Sequence, residues 1–161
     1  RASKMDYSTD EKAIQIPNYT GETKATLAIE KTRIPIVPGT DLSKVFHIKE
    51  IYFDLDKYNI RPDAAIELAK ILEVLLEYPT MKIAINSHTD SRQTHAYNVV
   101  LSDNRAKSTR KWLIKQGISA DRLTAKGYGE TKLVNNCSDG VECTEEQHQA
   151  NRRIEFIVIS L

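Results

Sequence analysis

From Ser87 to Arg105 the chain reads SHTDSRQTHAYNVVLSDNR, a strand end, a polar turn and a helix start in immediate succession. The apolar run Ile83, Ala84, Ile85 leads in as a strand, and His88, Thr89, Asp90 and Ser91 form the turn. A helix is predicted from near Thr94, closed by Gly117. At about 100° per residue from Tyr97, the helix carries Tyr97, Leu101 and Trp112 within about 60° of one another. Val99, Ala106 and Leu113 fall near 160–200°, while Asp103, Lys107, Arg110 and Lys111 occupy roughly 220–320° as a solvated face. Arg105 and Asn98 stand at about 80–100°, in the middle of the side that should be buried. A guanidinium there needs partners, because an unpaired buried charge costs several kcal/mol or more. Asp90 is the nearest obvious anion. Two readings follow: a structural Asp90–Arg105 bridge, or a half-buried pocket offering one negative and one positive group to a zwitterion.

The flanking sequence repeats the strand–helix theme. Val45 to Phe53 (VFHIKEIYF) is predicted as a strand. Pro62 and Asp63 then open a helix through Tyr78, ended by Pro79. Ile66, Leu68, Leu72, Leu75 and Leu76 supply its wide apolar face, with Glu67, Lys70, Glu73 and Glu77 near one another on the polar side. Met81 to Asn86 is the second strand, Arg122 to Lys126 the third, and Ile154 to Ile159 the last. Gly127-Tyr128-Gly129 reads as a turn, and Asn135 to Ala150 as a polar loop. The order β–α–β–α–β–β predicts an α/β (α+β) sandwich, with two main helices on one face of a mixed sheet. Residues 1–43 read differently. Ile14 and Ile16 hint at a strand, Lys24 to Val37 alternates as one, and Pro35, Pro38 and Gly39 interrupt pairing. The expected division is an extended β arm, or the tail of a preceding β domain, over residues 1–43, and an α/β domain over 44–161.

Composition excludes several function classes. The 161 residues carry 23 basic and 22 acidic side chains without a basic tract, so no nucleic-acid partner is expected. Apolar runs are too short to span a membrane. The chain starts at Arg1 rather than Met and is expected to be a processed or excised piece, which leaves its compartment open. Cys137 and Cys143 lie six apart in a polar loop and can bridge, closing a loop worth about 2–3 kcal/mol; two reduced, unrelated thiols are the alternative. His88, Asp90, His95 and His148 match no metal-ligand spacing. The consecutive Ser87, His88 and Asp90 are poor geometry for a nucleophile, base and orienter. Gly127-Tyr128-Gly129 is too short for a phosphate loop. No enzyme activity, metal or cofactor is expected.

Taken together, the motifs resemble a known family. Ile51-Tyr52-Phe53-Asp54-Leu55-Asp56-Lys57 followed by Ile60-Arg61-Pro62 is similar to the opening of OmpA-like peptidoglycan-binding domains (OmpA C-terminal, Pal and MotB-type). So are His88-Thr89-Asp90, Tyr97-Asn98, Leu101-Ser102, Arg105-Ala106, Gly127-Tyr128-Gly129-Glu130 and Asn151-Arg152-Arg153, all in order over residues 46–161. The resemblance implies that Asp90 and Arg105 grip the diaminopimelate of the peptidoglycan stem peptide. By motif position it adds Asp56, Thr89, Asn98 and Arg152 as ligand contacts. A carboxylate beside a guanidinium complements the distal ammonium and carboxylate of diaminopimelate. Two departures bear on the turn around Asp90: Ser87 replaces the usual Gly, and the Gly common shortly after that aspartate is replaced within Ser91-Arg92-Gln93-Thr94.

The implied function is non-enzymatic anchoring of an outer-membrane-associated protein to the cell wall, in the periplasm. Its membrane link would run only through a missing N-terminal portion or lipid anchor. That compartment makes a Cys137–Cys143 disulfide the expectation. The cysteine-bearing loop resembles that of members from the Bacteroides-type lineage. There such domains end longer outer-membrane lipoproteins, including peptidoglycan tethers of the type IX secretion machinery, which adds outer-membrane or secretion-machinery proteins as partners. The competing function is a structural assembly domain that binds a protein partner and keeps Asp90–Arg105 as an internal bridge.

Overall fold

The structure, a computed structural model, describes residues 35–54 and 56–161. Ile36–Leu161 forms one compact unit. Most of the expected N-terminal arm, residues 1–34, lies outside the described residues.

Among the described residues three strands make the sheet: β1 (Lys82–Ser87), β2 (Leu123–Gly127) and β3 (Ile154–Ser160), in the order β2-β1-β3. β1 pairs parallel with β2 and antiparallel with β3. The parallel pair requires a crossover, and helix α3 (His95–Lys115) supplies it. Before the sheet come a short helix α1 (Leu42–Val45) and the long α2 (Pro62–Glu77); α4 (Glu145–Asn151) lies between β2 and β3. The mixed α/β class predicted from sequence is the one observed.

Alternation sets the sheet's inner face. Ile83 and Ile85 of β1 and Phe156 and Val158 of β3 are almost wholly buried. They share one core with Leu68, Ile71 and Leu75 of α2 and with Ala106 and Leu113 of α3. Gly127 lets α3 come this close. A Cβ at Gly127 would stand 2.1 Å from the Asp103 backbone nitrogen and 2.5 Å from Ser102 Oγ, so only the residue without a side chain fits.

Three local expectations are corrected. Among the described residues the strand predicted over Val45–Phe53 does not form: Val45 closes α1, and Ile51 to Asp54 joins no ladder there. Its apolar alternation is satisfied by burial alone, with Ile51 inside and Tyr52 exposed. The edge of β3 is served instead by residues 39–41, where Gly39 N–H donates to Val158 O (2.8 Å) and Val158 N–H to Thr40 O (2.9 Å). Within α2, Ile66 and Leu76 face solvent, because the inward stripe is Ala64, Leu68, Ile71, Val74 and Leu75. Ile66 lies about 160° around the helix from Leu68. Finally, the polar loop over 135–150 contains α4. Thr144 and Gln147 form a reciprocal capping box at its start, a signal legible in the spacing Thr-x-x-Gln.

Candidate functional site

β1 ends at Ser87, and the turn beyond it is clamped from several directions. His88 N–H donates to Arg153 O (2.9 Å) and Thr89 N–H to Gly129 O (3.0 Å). Ser91 Oγ donates to Cys137 O at 2.6 Å. The buried Asn98 side-chain amide donates to the carbonyls of Asp90 (3.1 Å) and Gln93 (3.2 Å), and also to the Glu130 carboxylate. Thr94 caps α3 by accepting from Tyr97 N–H. The turn is therefore rigid at its base, as a loop that positions chemistry must be. Cys137 and Cys143 are joined in a disulfide with Cα atoms 5.9 Å apart, so the segment holding Ser91 is itself cross-linked.

A cavity of roughly 530 Å³ opens beside this turn. All six residues named from the resemblance, Asp56, Thr89, Asp90, Asn98, Arg105 and Arg152, line it. They come from the α2-preceding loop, the β1 turn, two turns of α3 and the residue after α4.

The partners differ from expectation. No direct Asp90–Arg105 bridge exists. Asp90 Oδ2 accepts from Arg92 Nη2 (2.7 Å), Arg92 Nε (3.1 Å) and Arg152 Nη1 (2.5 Å), and Oδ1 accepts from Arg92 N–H (3.2 Å). Glu145 holds the far side of both arginines, at 2.7 Å from Arg92 Nη1 and 2.5 Å from Arg152 Nη2. Burial alone would raise the Asp90 carboxyl, but the hydrogen bonds from Arg92 and Arg152 hold it below the ordinary carboxylate value. The turn brings its own cation two residues after Asp90, and the chain before β3 brings the second, so Arg105 is not needed there.

Arg105 is 9% exposed. Its Nε donates to Lys57 O (3.1 Å) and its Nη2 to Asp54 O (3.4 Å). The guanidinium carbon stands 4.9 Å from the centroid of the Phe53 ring. Among the described residues no carboxylate lies within ion-pairing distance of it. Burial presses its pKa down, against the attraction of Asp56 and Asp90 farther off, so the charged form gains from any anion admitted to the cavity.

Asp56 has φ +57°, a left-handed conformation that short polar side chains tolerate better than most. Its carboxylate accepts from Tyr97 Oη, and that bond raises the phenol's pKa. Ser87 Oγ and Thr89 Oγ1 are buried at the cavity without a hydrogen-bond partner among the described residues. Unpaired buried hydroxyls are costly and mark a place for a polar guest. Among the described residues no group of three or more His, Cys, Asp or Glu is arranged to hold a metal ion. Sequence reasoning missed Arg92 and Glu145. Arg92 stood out only as a basic residue in the turn, and Glu145 belongs to the unrecognised α4.

Residues 52–147 match the model of the OmpA family. The chain belongs to the OmpA family. It is 36% identical over 114 residues to the peptidoglycan-associated lipoprotein of Rhizobium meliloti, covering 70% of this chain and 64% of that protein. Outer membrane porin F of Pseudomonas fluorescens is 33% identical over 109 residues, covering 68% of this chain and 32% of the porin. The chain thus spans less than two thirds of either relative. The crystal structure of the peptidoglycan-associated lipoprotein from Burkholderia pseudomallei superimposes with a TM-score of 0.59 at 28% identity, covering 68% of this chain and 90% of that one. As an OmpA-family domain, the chain has its cavity at the end of β1, beside the start of the crossover helix. Groups projected from strand ends and helix starts commonly meet in such a place.

Proposed function

We propose that this OmpA-family domain binds peptidoglycan non-covalently through the diaminopimelate of its stem peptide, and so anchors an outer-membrane-associated protein to the cell wall from the periplasm. The relatives named peptidoglycan-associated lipoprotein support the wall as partner, and the porin supports the outer-membrane setting. The observation that carries the finer reading is the cavity's charge arrangement. It presents a buried carboxylate, Asp90, and a buried guanidinium, Arg105, that are not spent on each other. The distal end of diaminopimelate offers the matching ammonium and carboxylate. Arg105 takes the carboxylate through its fork, Asp90 takes the ammonium, and Asp56, Thr89, Asn98 and Arg152 complete the shell. The role is binding rather than catalysis. The resemblance of the cysteine-bearing loop to that of Bacteroides-type members supports, as part of the same proposal, a lipoprotein tether of the type IX secretion machinery.

Calorimetry with matched stem peptides tests this. A lysine at the third stem position keeps the ammonium but lacks the carboxylate, leaving Arg105 without an anion. The expected discrimination is about 2–3 kcal/mol in favour of diaminopimelate, on the scale of charge-assisted hydrogen bonds, or about a hundredfold in affinity. Equal affinities would mean that Arg105 is satisfied within the protein and the cavity reads something else.

A further inference from the structure

Asp90 is already paired with two guanidiniums. Its Oδ2 accepts three charge-assisted hydrogen bonds, more than its own two lone pairs serve singly, whereas Oδ1 accepts only the Arg92 backbone N–H. A ligand ammonium takes Oδ2 only by displacing a guanidinium. The two candidates are not equivalent. Arg152 has a side chain 23% exposed and is also bound to Gln149. Arg92 is 47% exposed, and its outer anchor, Glu145, is itself 62% exposed. Arg92 also lines a second, more open hollow with Ser138, Asp139 and His148, which gives a displaced guanidinium somewhere to go.

We infer that Arg92 is a built-in cationic plug on Asp90, held from outside by Glu145, which a ligand's free primary ammonium displaces when it takes Oδ2. This rests on the stem-peptide reading above and extends it. The plug sets a threshold: a ligand whose amine is tied up in an amide carries no charge to exchange for the guanidinium, so the site selects unlinked amines. Together with Arg152 it keeps the buried carboxylate paired in the unliganded protein, where an unpaired one would be costly.

The test titrates wild-type protein, Arg92→Ala and Arg92→Gln with diaminopimelate by calorimetry. In parallel, nitrogen-15 NMR follows the Arg92 Nε–H of the wild-type protein. Both variants should bind about threefold to fivefold tighter, the scale expected when a half-exposed ion pair no longer has to be broken. The Nε–H, hydrogen-bonded to Asp90 in the free protein, should be protected there and exchange faster with solvent at saturation. If the wild-type protein binds but neither folded variant gains affinity, or the Nε–H stays protected in the complex, the plug is overturned and the stem-peptide reading survives. If no form binds diaminopimelate, that reading falls and the plug falls with it.

Discussion

Helix α2 turns Ala64, Leu68, Ile71, Val74 and Leu75 inward, whereas α3 turns in Asn98, Ser102, Arg105 and Thr109 beside only two apolar side chains, Ala106 and Leu113. Both helices contribute to the same core. The α2 stripe needs nothing but neighbours, and each fully buried Leu or Ile contributes roughly 1.5–3 kcal/mol by leaving water. The α3 stripe needs a partner for every polar atom, and most partners lie outside the helix. Asn98 reaches back to the β1 turn, Ser102 Oγ accepts from Gly129 N–H at 2.8 Å, and Arg105 crosses to the 54–57 loop. One helix stabilises the domain; the other spends its buried face on ordering three loops around a cavity. A buried stripe that looks poor in transfer energy can be rich in positional information.

The largest expected effect tests the α2 side. Leu68 is fully buried, and Leu68→Ala should cost about 4 kcal/mol, from lost transfer energy plus the cavity left behind. Denaturant unfolding would read that loss. Affinity of the folded fraction for a muropeptide should stay unchanged, and a matching loss of affinity would erase the proposed division of labour.

Arg105→Ala should do the reverse. Ligand affinity should fall by about 3 kcal/mol, as for loss of a charged hydrogen-bonding partner. Stability should fall by less, because the carbonyls of Asp54 and Lys57 can turn to water. Arg105→Lys should also bind poorly, since an ammonium cannot reproduce the bidentate fork. Wild-type affinity in a folded Arg105→Ala protein, measured by calorimetry, would sink the pocket reading.

The polar end of the molecule should also titrate, which the α2 face cannot do. Burial, reinforced by Arg153 and opposed by Glu155, pushes the His88 pKa down to about 4. His88 Nε2 stands 3.4 Å from Glu155, and the ring stacks on Tyr128 at 5.3 Å. An unfolded chain takes up this proton near pH 6.5. Between about 6.5 and 4 the unfolded state therefore binds more protons, and stability should fall as the pH falls, by about 3 kcal/mol in all, before levelling off. Thermal unfolding across that window should show the slope, and His88→Phe, which keeps the ring stack, should flatten it. An unchanged slope would assign the proton uptake to other groups.

The smallest effect refines the α3 stripe itself. Thr109 is fully buried, yet its hydroxyl donates only to Arg105 O one turn back, a bond that adds little to a helix. Thr109→Val should change stability by less than about 1 kcal/mol and leave binding intact. A larger loss of affinity would mean that the polar stripe works as one network rather than through Asn98 and Arg105.

How legible the site was depended on the kind of signal. Arg105 and Asn98 were visible as polar residues on a buried arc, because helical periodicity is local and survives in the sequence. The pairing of buried Asp90 with Arg92 and Arg152 was not, since Arg92 carried no periodic signal and Arg152 lies 62 positions from Asp90. The false strand at Val45–Phe53 shows the converse limit. Its alternation reported burial faithfully, but pairing depends on which segment reaches the sheet edge first, and residues 39–41 occupy it.

The family resemblance, not periodicity, named Asp56, Thr89 and Arg152 as cavity residues. The amino-acid sequence by itself determined the mixed α/β class, the three sheet strands within a residue or so, the long helices and their caps, and Asn98 and Arg105 as polar groups on a buried arc. These follow from periodicities of two and 3.6 and from caps and breakers, which act over a few residues. Only the tertiary structure decided that Asp90 is paired with Arg92 and Arg152 while Arg105 holds backbone carbonyls. A guanidinium is satisfied by any acceptor its long side chain can reach. Which acceptor that is depends on the packing of α3, α4 and the β1 turn in three dimensions, and no spacing in the chain encodes it.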